Sequence, residues 1–244
     1  MTSMTVLAAG PSPLWYATRA GGTVALLLLT ATVALGIASG TRYAPSRRTR
    51  FEVGALHRNL SVLTLVFLAL HVVTAIADTF VHIGWTATVI PFLSPYRPLW
   101  VGLGTVALDL LLAVALTSAL RLRIGHRWWK AVHWAAYAAW PVALLHALGT
   151  GSDSRSPLQL ALSAFCLAVT VAAVLYRLRR AVSARRPARI AAGAAAFALS
   201  VLLTVFVAVG PLRPGWSQRA QPPPEAPVAT AHGHTVPSEG SAPE

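Results

Sequence analysis

Charge is scarce in this chain. Lys, Arg, Asp and Glu make up 11% of its 244 residues, against about 25% in an average soluble domain. Acidic residues are rarer still, seven against twenty Lys and Arg. There is one cysteine, Cys166, inside an apolar run, which excludes a disulfide framework and a cysteine-rich metal site. No Gly-x-Gly-x-x-Gly follows a strand-like run, and Gly102-Leu103-Gly104 lies within an apolar stretch, so the usual dinucleotide fingerprint is absent. What is abundant is apolar surface: 55% of residues are hydrophobic and the mean hydropathy is +0.61. That composition excludes a disordered or collagen-like chain and points to a helical membrane protein in a lipid bilayer. The net charge of +13 reads as a topology signal in so apolar a chain, and no nucleic-acid partner is expected.

Six stretches approach the roughly 20 residues a bilayer span needs, at about 15–38, 57–77, 99–120, 131–149, 157–176 and 190–210. The expected fold is an all-α polytopic bundle of six transmembrane helices. Residues 1–14 precede it, 15–210 form the bundle, and the Pro/Ala-rich stretch 211–244, with QPPPEAP inside it, reads as a disordered tail. Lys and Arg are retained on the cytoplasmic side, and fifteen of the twenty fall in three alternate positions. These are Arg42, Arg47, Arg48, Arg50 and Arg58; Arg121, Arg123, Arg127 and Lys130; and Arg177, Arg179, Arg180, Arg185, Arg186 and Arg189. Both termini are therefore expected outside. The first span could also be a cleaved signal, but its stronger charge follows the apolar run rather than preceding it. Residues 79–98, interrupted by Pro91, Pro95 and Pro98, read as an outer loop on the membrane surface.

Four of the eight histidines fall in two spans, His57 and His71 in the second and His133 and His146 in the fourth. Ionisable groups inside a bilayer usually face the bundle interior and mark function. At 1.5 Å per residue the members of each pair lie about 20 Å apart along their helices. Both helices run from inside to outside, so His57 is level with His133 and His71 with His146. Two imidazoles facing each other at one depth can bind haem iron from both sides, and two such layers make an electron path across the membrane. With no Cys-x-x-Cys-His, any haem is non-covalent. On an ideal helical wheel His57 and His71 differ by about 40°, but His133 and His146 by about 140°. Pro141 lies between the latter two and is the expected site of a compensating kink. Zinc needs three or four converging ligands, which histidines four turns apart cannot supply. The competing reading is four buried histidines bonded to neighbouring helices.

The segments HRNLSVLTLVFLALH and HWAAYAAWPVALLH, with thirteen and twelve residues between their histidines, resemble the ferric reductase-like transmembrane domain. That domain carries the haems of NADPH oxidases, ferric reductases and the haem subunit of periplasmic methionine sulfoxide reductase. Thr117 and Ser118 before a basic loop, and Trp129 four residues before His133, add to the likeness, which spans roughly residues 15–177. The resemblance implies an inner b-type haem on His57 and His133, an outer one on His71 and His146, and an Arg19 near the outer haem's propionates. Snorkelling is the alternative for Arg19. Oxidases continue into a flavin and nicotinamide module that has no counterpart here, so the resemblance implies a separate donor, a flavoprotein or quinol. Electrons would pass to an extracytoplasmic acceptor, protein or small molecule.

Trp140, midway between His133 and His146, could bridge the two haems or simply pack. Asp109, near the centre of the third span, could relay a proton or, preferably, hydrogen-bond a neighbouring helix. His126 and His82 read as loop histidines near the inner and outer faces, and His232 and His234 as a weak metal site. The preferred function is a b-type cytochrome electron-transfer subunit. The rivals are a transporter with structural histidines and a haem sensor or assembly protein.

Overall fold

The computed structural model describes residues 12–39, 46–79, 81, 83–150, 156–180 and 186–216. His82, Arg155, Arg219, His232, His234 and the stretch 217–244 lie outside the described residues. Among those described, the chain is helical with no strand: α1 Pro13–Ser39, α2 Arg47–Ala77, α3 Pro98–Ala119, α4 Arg121–Ile124, α5 His126–His133, α6 Ala136–Thr150, α7 Pro157–Arg180 and α8 Arg186–Val209. Five stretches are single helices long and apolar enough to cross a membrane: Pro13–Ile37, Arg47–Ala77, Pro98–Ala119, Pro157–Arg180 and Ile190–Val209. The protein is an all-helical integral membrane protein.

The ends of these helices follow local chemistry. Ser46 caps α2 by accepting the Thr49 N–H at 3.1 Å. Pro98 and Pro157, which have no N–H to lose, open α3 and α7. Gly125, at φ 79°, takes the left-handed turn between α4 and α5 that a side chain would resist. The second span begins ten residues earlier than its apolar run. α2 holds 31 residues, about 46 Å of helix against roughly 30 Å of hydrocarbon, so its arginine-bearing first turns project beyond the lipid. α1 packs chiefly on α2, and also on α7 and α6; α3 packs on α6; α8 packs mainly on α7. The centre of the bundle is Leu26, Leu29, Val33, Ile37, Trp140, Leu144, Leu148, Cys166 and Leu203.

The fourth span departs from the expectation in a useful way. It is not a single helix, and its break lies ahead of Pro141, which α6 contains. The break lies at Trp134–Ala135, where Ala135, Tyr137 and Ala138 donate to carbonyls only three residues back. Such 3₁₀ steps turn about 120° instead of 100°. This overwinding works against the roughly 140° offset of an ideal helix.

The loop before α3 is anchored to that helix. Its short 3₁₀ turn, Trp85–Thr88, tucks against α3. Thr105 donates its hydroxyl to the Ala87 carbonyl at 2.6 Å, with Ala87 buried. A Thr105→Val variant would leave that carbonyl unpaired, which costs about 1–3 kcal/mol. It is expected to melt several degrees lower and to be cleaved faster within residues 83–97 under limited proteolysis. After α8 the chain turns back: Pro211 is fully buried, and the Trp216 ring lies 5.7 Å from Trp100 and 6.2 Å from Phe206.

Candidate haem-binding site

The two histidine pairs expected from spacing are brought together. The His57 and His133 rings lie 6.4 Å apart, centre to centre, and those of His71 and His146 6.2 Å apart. One metal ion between two imidazoles, with bonds of about 2 Å and roughly 1 Å more to each ring centre, would separate the centres by about 6 Å. Both pairs match that spacing, so the residues present fit a bis-histidine haem at each depth. No cluster of three or more His, Cys, Asp or Glu that could hold a metal ion occurs among the described residues.

Three of the four imidazoles are held in the same way. His71 Nδ1 donates to the Thr18 carbonyl at 2.7 Å, His57 Nδ1 to Thr32 at 3.1 Å, and His146 Nδ1 to Trp100 at 2.8 Å. In each case the residue four positions after the carbonyl is a glycine. A Cβ on Gly22 would come within 2.8 Å of His71, one on Gly36 within 3.3 Å of His57, and one on Gly104 within 2.6 Å of His146. The geometry explains the pattern. A helical carbonyl points along the axis toward residue i+4, whose side chain would normally cover it from the flank. Glycine there opens the flank, so an imidazole from the next helix can lie in the gap and donate to the same oxygen. The bond keeps the proton on Nδ1 and leaves the Nε2 lone pair for a metal. Thr150 adds a hydroxyl 3.2 Å from His146 Nδ1.

His133 is built differently. Its Nδ1 is buried without a hydrogen-bond partner among the described residues. Its ring stacks instead on Trp129, at 5.0 Å and 29°, and Trp129 in turn lies 5.2 Å from His126. Trp129 is fixed by donating its indole N–H to Ser118 at 3.2 Å.

These arrangements accompany a family assignment. Residues 21–144, just over half of the chain, match the ferric reductase like transmembrane component family. The chain belongs to that family. No curated protein and no solved structure matches it. The ferric reductase-like core thus takes in α1 from residue 21, α2 to α5 and the first part of α6, with His57, His71 and His133 inside the match and His146 two residues beyond it. α7 and α8 lie outside.

A cavity of about 230 Å³ opens beside the outer pair, lined by His71, His146, Arg19, Trp15, Tyr96, Gly22 and Gly104 among others. Arg19 lays its guanidinium over Trp15 at 4.3 Å. The Tyr96 hydroxyl donates to the Thr150 carbonyl at 3.3 Å, and burial pushes its pKa up, so it remains a donor throughout the physiological range. Arg97 donates to the same carbonyl at 3.4 Å and sits over the Trp216 ring at 4.8 Å. A second cavity of about 550 Å³, mostly apolar, lies between α1, α6, α7 and α8. Trp140 is 1% exposed, lines that second cavity, and donates to the Thr30 hydroxyl at 2.9 Å.

Asp109 is not where a bond to a neighbouring helix would put it. It is exposed on the outer side of α3 and makes no hydrogen bond among the described residues. His126 is exposed at the start of α5. The glycines and their carbonyls were invisible to motif reading. Each is a single glycine in an apolar helix, and only the histidine on the facing helix gives it meaning.

Proposed function

We propose that this ferric reductase-like chain is a b-type cytochrome subunit that passes single electrons across the membrane through two bis-histidine haems. His57 and His133 hold the inner haem, and His71 and His146 the outer. The donor is a separate flavoprotein or quinol at the basic face, and the acceptor is an extracytoplasmic protein or small molecule. The observation that carries this reading is the pair of imidazole separations, 6.4 and 6.2 Å, in a chain whose two liganding helices run in the same direction.

When bound, the haems supply a one-electron iron couple. The chain supplies the rest. His57, His71 and His146 present Nε2 because their Nδ1 protons are tied to carbonyls. Arg19, beside the outer cavity, is placed to meet a propionate with an opposite charge. Trp140 donates to Thr30 and packs in the apolar core of the bundle, which keeps that region dry. The cations of α2, α4, α5 and α7 put the first pair on the cytoplasmic side and both termini outside. With the inside negative, outward movement of an electron is favoured by about 2.3 kcal/mol per 100 mV.

Reduced-minus-oxidised absorption of the detergent-purified protein, with a pyridine haemochrome assay, tests the proposal. The expected result is b-type bands and about two haems per chain. A folded, monodisperse preparation without haem would overturn it and leave a transporter as the better reading.

A further inference from the structure

The two histidine layers are built from different parts. At the outer depth both imidazoles donate Nδ1–H to a backbone carbonyl, at 2.7 and 2.8 Å. At the inner depth one donates at a longer 3.1 Å, and the other, His133, finds no acceptor among the described residues and lies against Trp129. A carbonyl accepting from Nδ1 raises the basicity of the ring, and a more basic axial nitrogen stabilises the oxidised metal. Charge does not act in one direction. Arg58, Arg127 and Lys130 follow or share a helix with the inner ligands but are exposed and screened by solvent, while Arg19 lines the cavity at the outer layer, where it is placed to meet a propionate.

Resting on the haem reading above, we infer that Gly22, Gly36 and Gly104 are positioning residues that set ligand strength, and that the unclasped His133 makes the inner haem the more readily reduced of the two. The layer nearer the donor fills first. The layer nearer the acceptor is the stronger reductant once filled. The inequality comes from one missing carbonyl contact, because all four ligands are the same amino acid.

The glycines give graded probes of this device. Alanine at Gly104 or Gly22 drives a methyl into an imidazole at 2.6 or 2.8 Å, nearer than a Cβ contact tolerates, and should displace the outer ligand. Alanine at Gly36 meets the His57 ring at 3.3 Å, where a shift of a few tenths of an ångström relieves the contact but lengthens the His57–Thr32 bond.

The test is a mediator-equilibrated dithionite titration of the purified holoprotein, followed in the visible haem bands, with haem counted per chain. The native protein is expected to reduce in two steps. Gly104→Ala should lose about half its haem and keep the higher-potential step, and Gly22→Ala should do the same. Gly36→Ala should keep its full haem content, with the higher step moved further up and the lower one unmoved. His57→Ala should keep the lower step only, which identifies the layers if a glycine variant fails to fold. A single unresolved step, or loss of the higher step in Gly104→Ala, overturns the inference while leaving the two-haem reading in place. A native preparation without haem overturns that reading itself.

Discussion

A His146→Ala variant is expected to carry about one haem where the native protein carries about two, and adding His71→Ala to it is expected to remove nothing more. The two residues lie on different helices 75 positions apart, yet their rings face each other at 6.2 Å. If one metal joins them, either deletion forfeits the same site, and the second has nothing left to remove. His57→Ala combined with His71→Ala must behave otherwise, because those residues belong to different layers despite sharing α2. That pair should empty the protein. Haem counts and the amplitude of the reduced-minus-oxidised band read both results. Full loss in His146→Ala alone, or one haem retained in the His57→Ala, His71→Ala pair, would refute the pairing by depth.

The second large effect comes from a residue that binds nothing. Gly149 lies three positions after His146, and a methyl there would overlap the Trp100 ring. Trp100 cannot yield freely. It is braced by Phe206 at 5.1 Å and by Trp216 at 5.7 Å, and its carbonyl holds His146 Nδ1. Gly149→Ala is therefore expected to cost about 1–3 kcal/mol through overpacking, and to lower the melting temperature by roughly 3–10 °C in a chain of this size. The outer haem should be lost or shifted while the inner one stays. Gly54→Ala is the control: nothing lies within 4 Å of that position. There, loss of backbone freedom in the unfolded chain should leave stability unchanged or slightly raised. Equal melting temperatures for Gly149→Ala and Gly54→Ala would show that Trp100 can move aside.

The same contacts give a role to the part of the chain beyond the family core. α8 and its terminal turn reach the outer site through Trp216, Phe206 and Trp100. Through Trp100 they touch the carbonyl that orients His146, and through Arg97 they touch Thr150. The sixth hydrophobic stretch is therefore joined to the outer histidine layer by packing.

Much of this protein was legible in its sequence for reasons that are local. Whether a segment crosses lipid depends on the summed transfer energy of about twenty consecutive side chains. The depth of a histidine within it depends on a fixed rise per residue. So the apolar stretches, the four histidines and their pairing by level could all be read from spacing, as could the likeness carried by HRNLSVLTLVFLALH and HWAAYAAWPVALLH. The wheel angle between His133 and His146 could not. It depends also on the break in the span, where three amides near Trp134 choose carbonyls three residues back over four. Nor could the sequence show that Gly22, Gly36 and Gly104 face histidines, that Ala87 tucks under Thr105, or that Asp109 looks outward. Each depends on which face of one helix meets which face of another far away in the chain. A carbonyl's spare lone pair or a missing methyl becomes chemistry only when packing puts an imidazole against it.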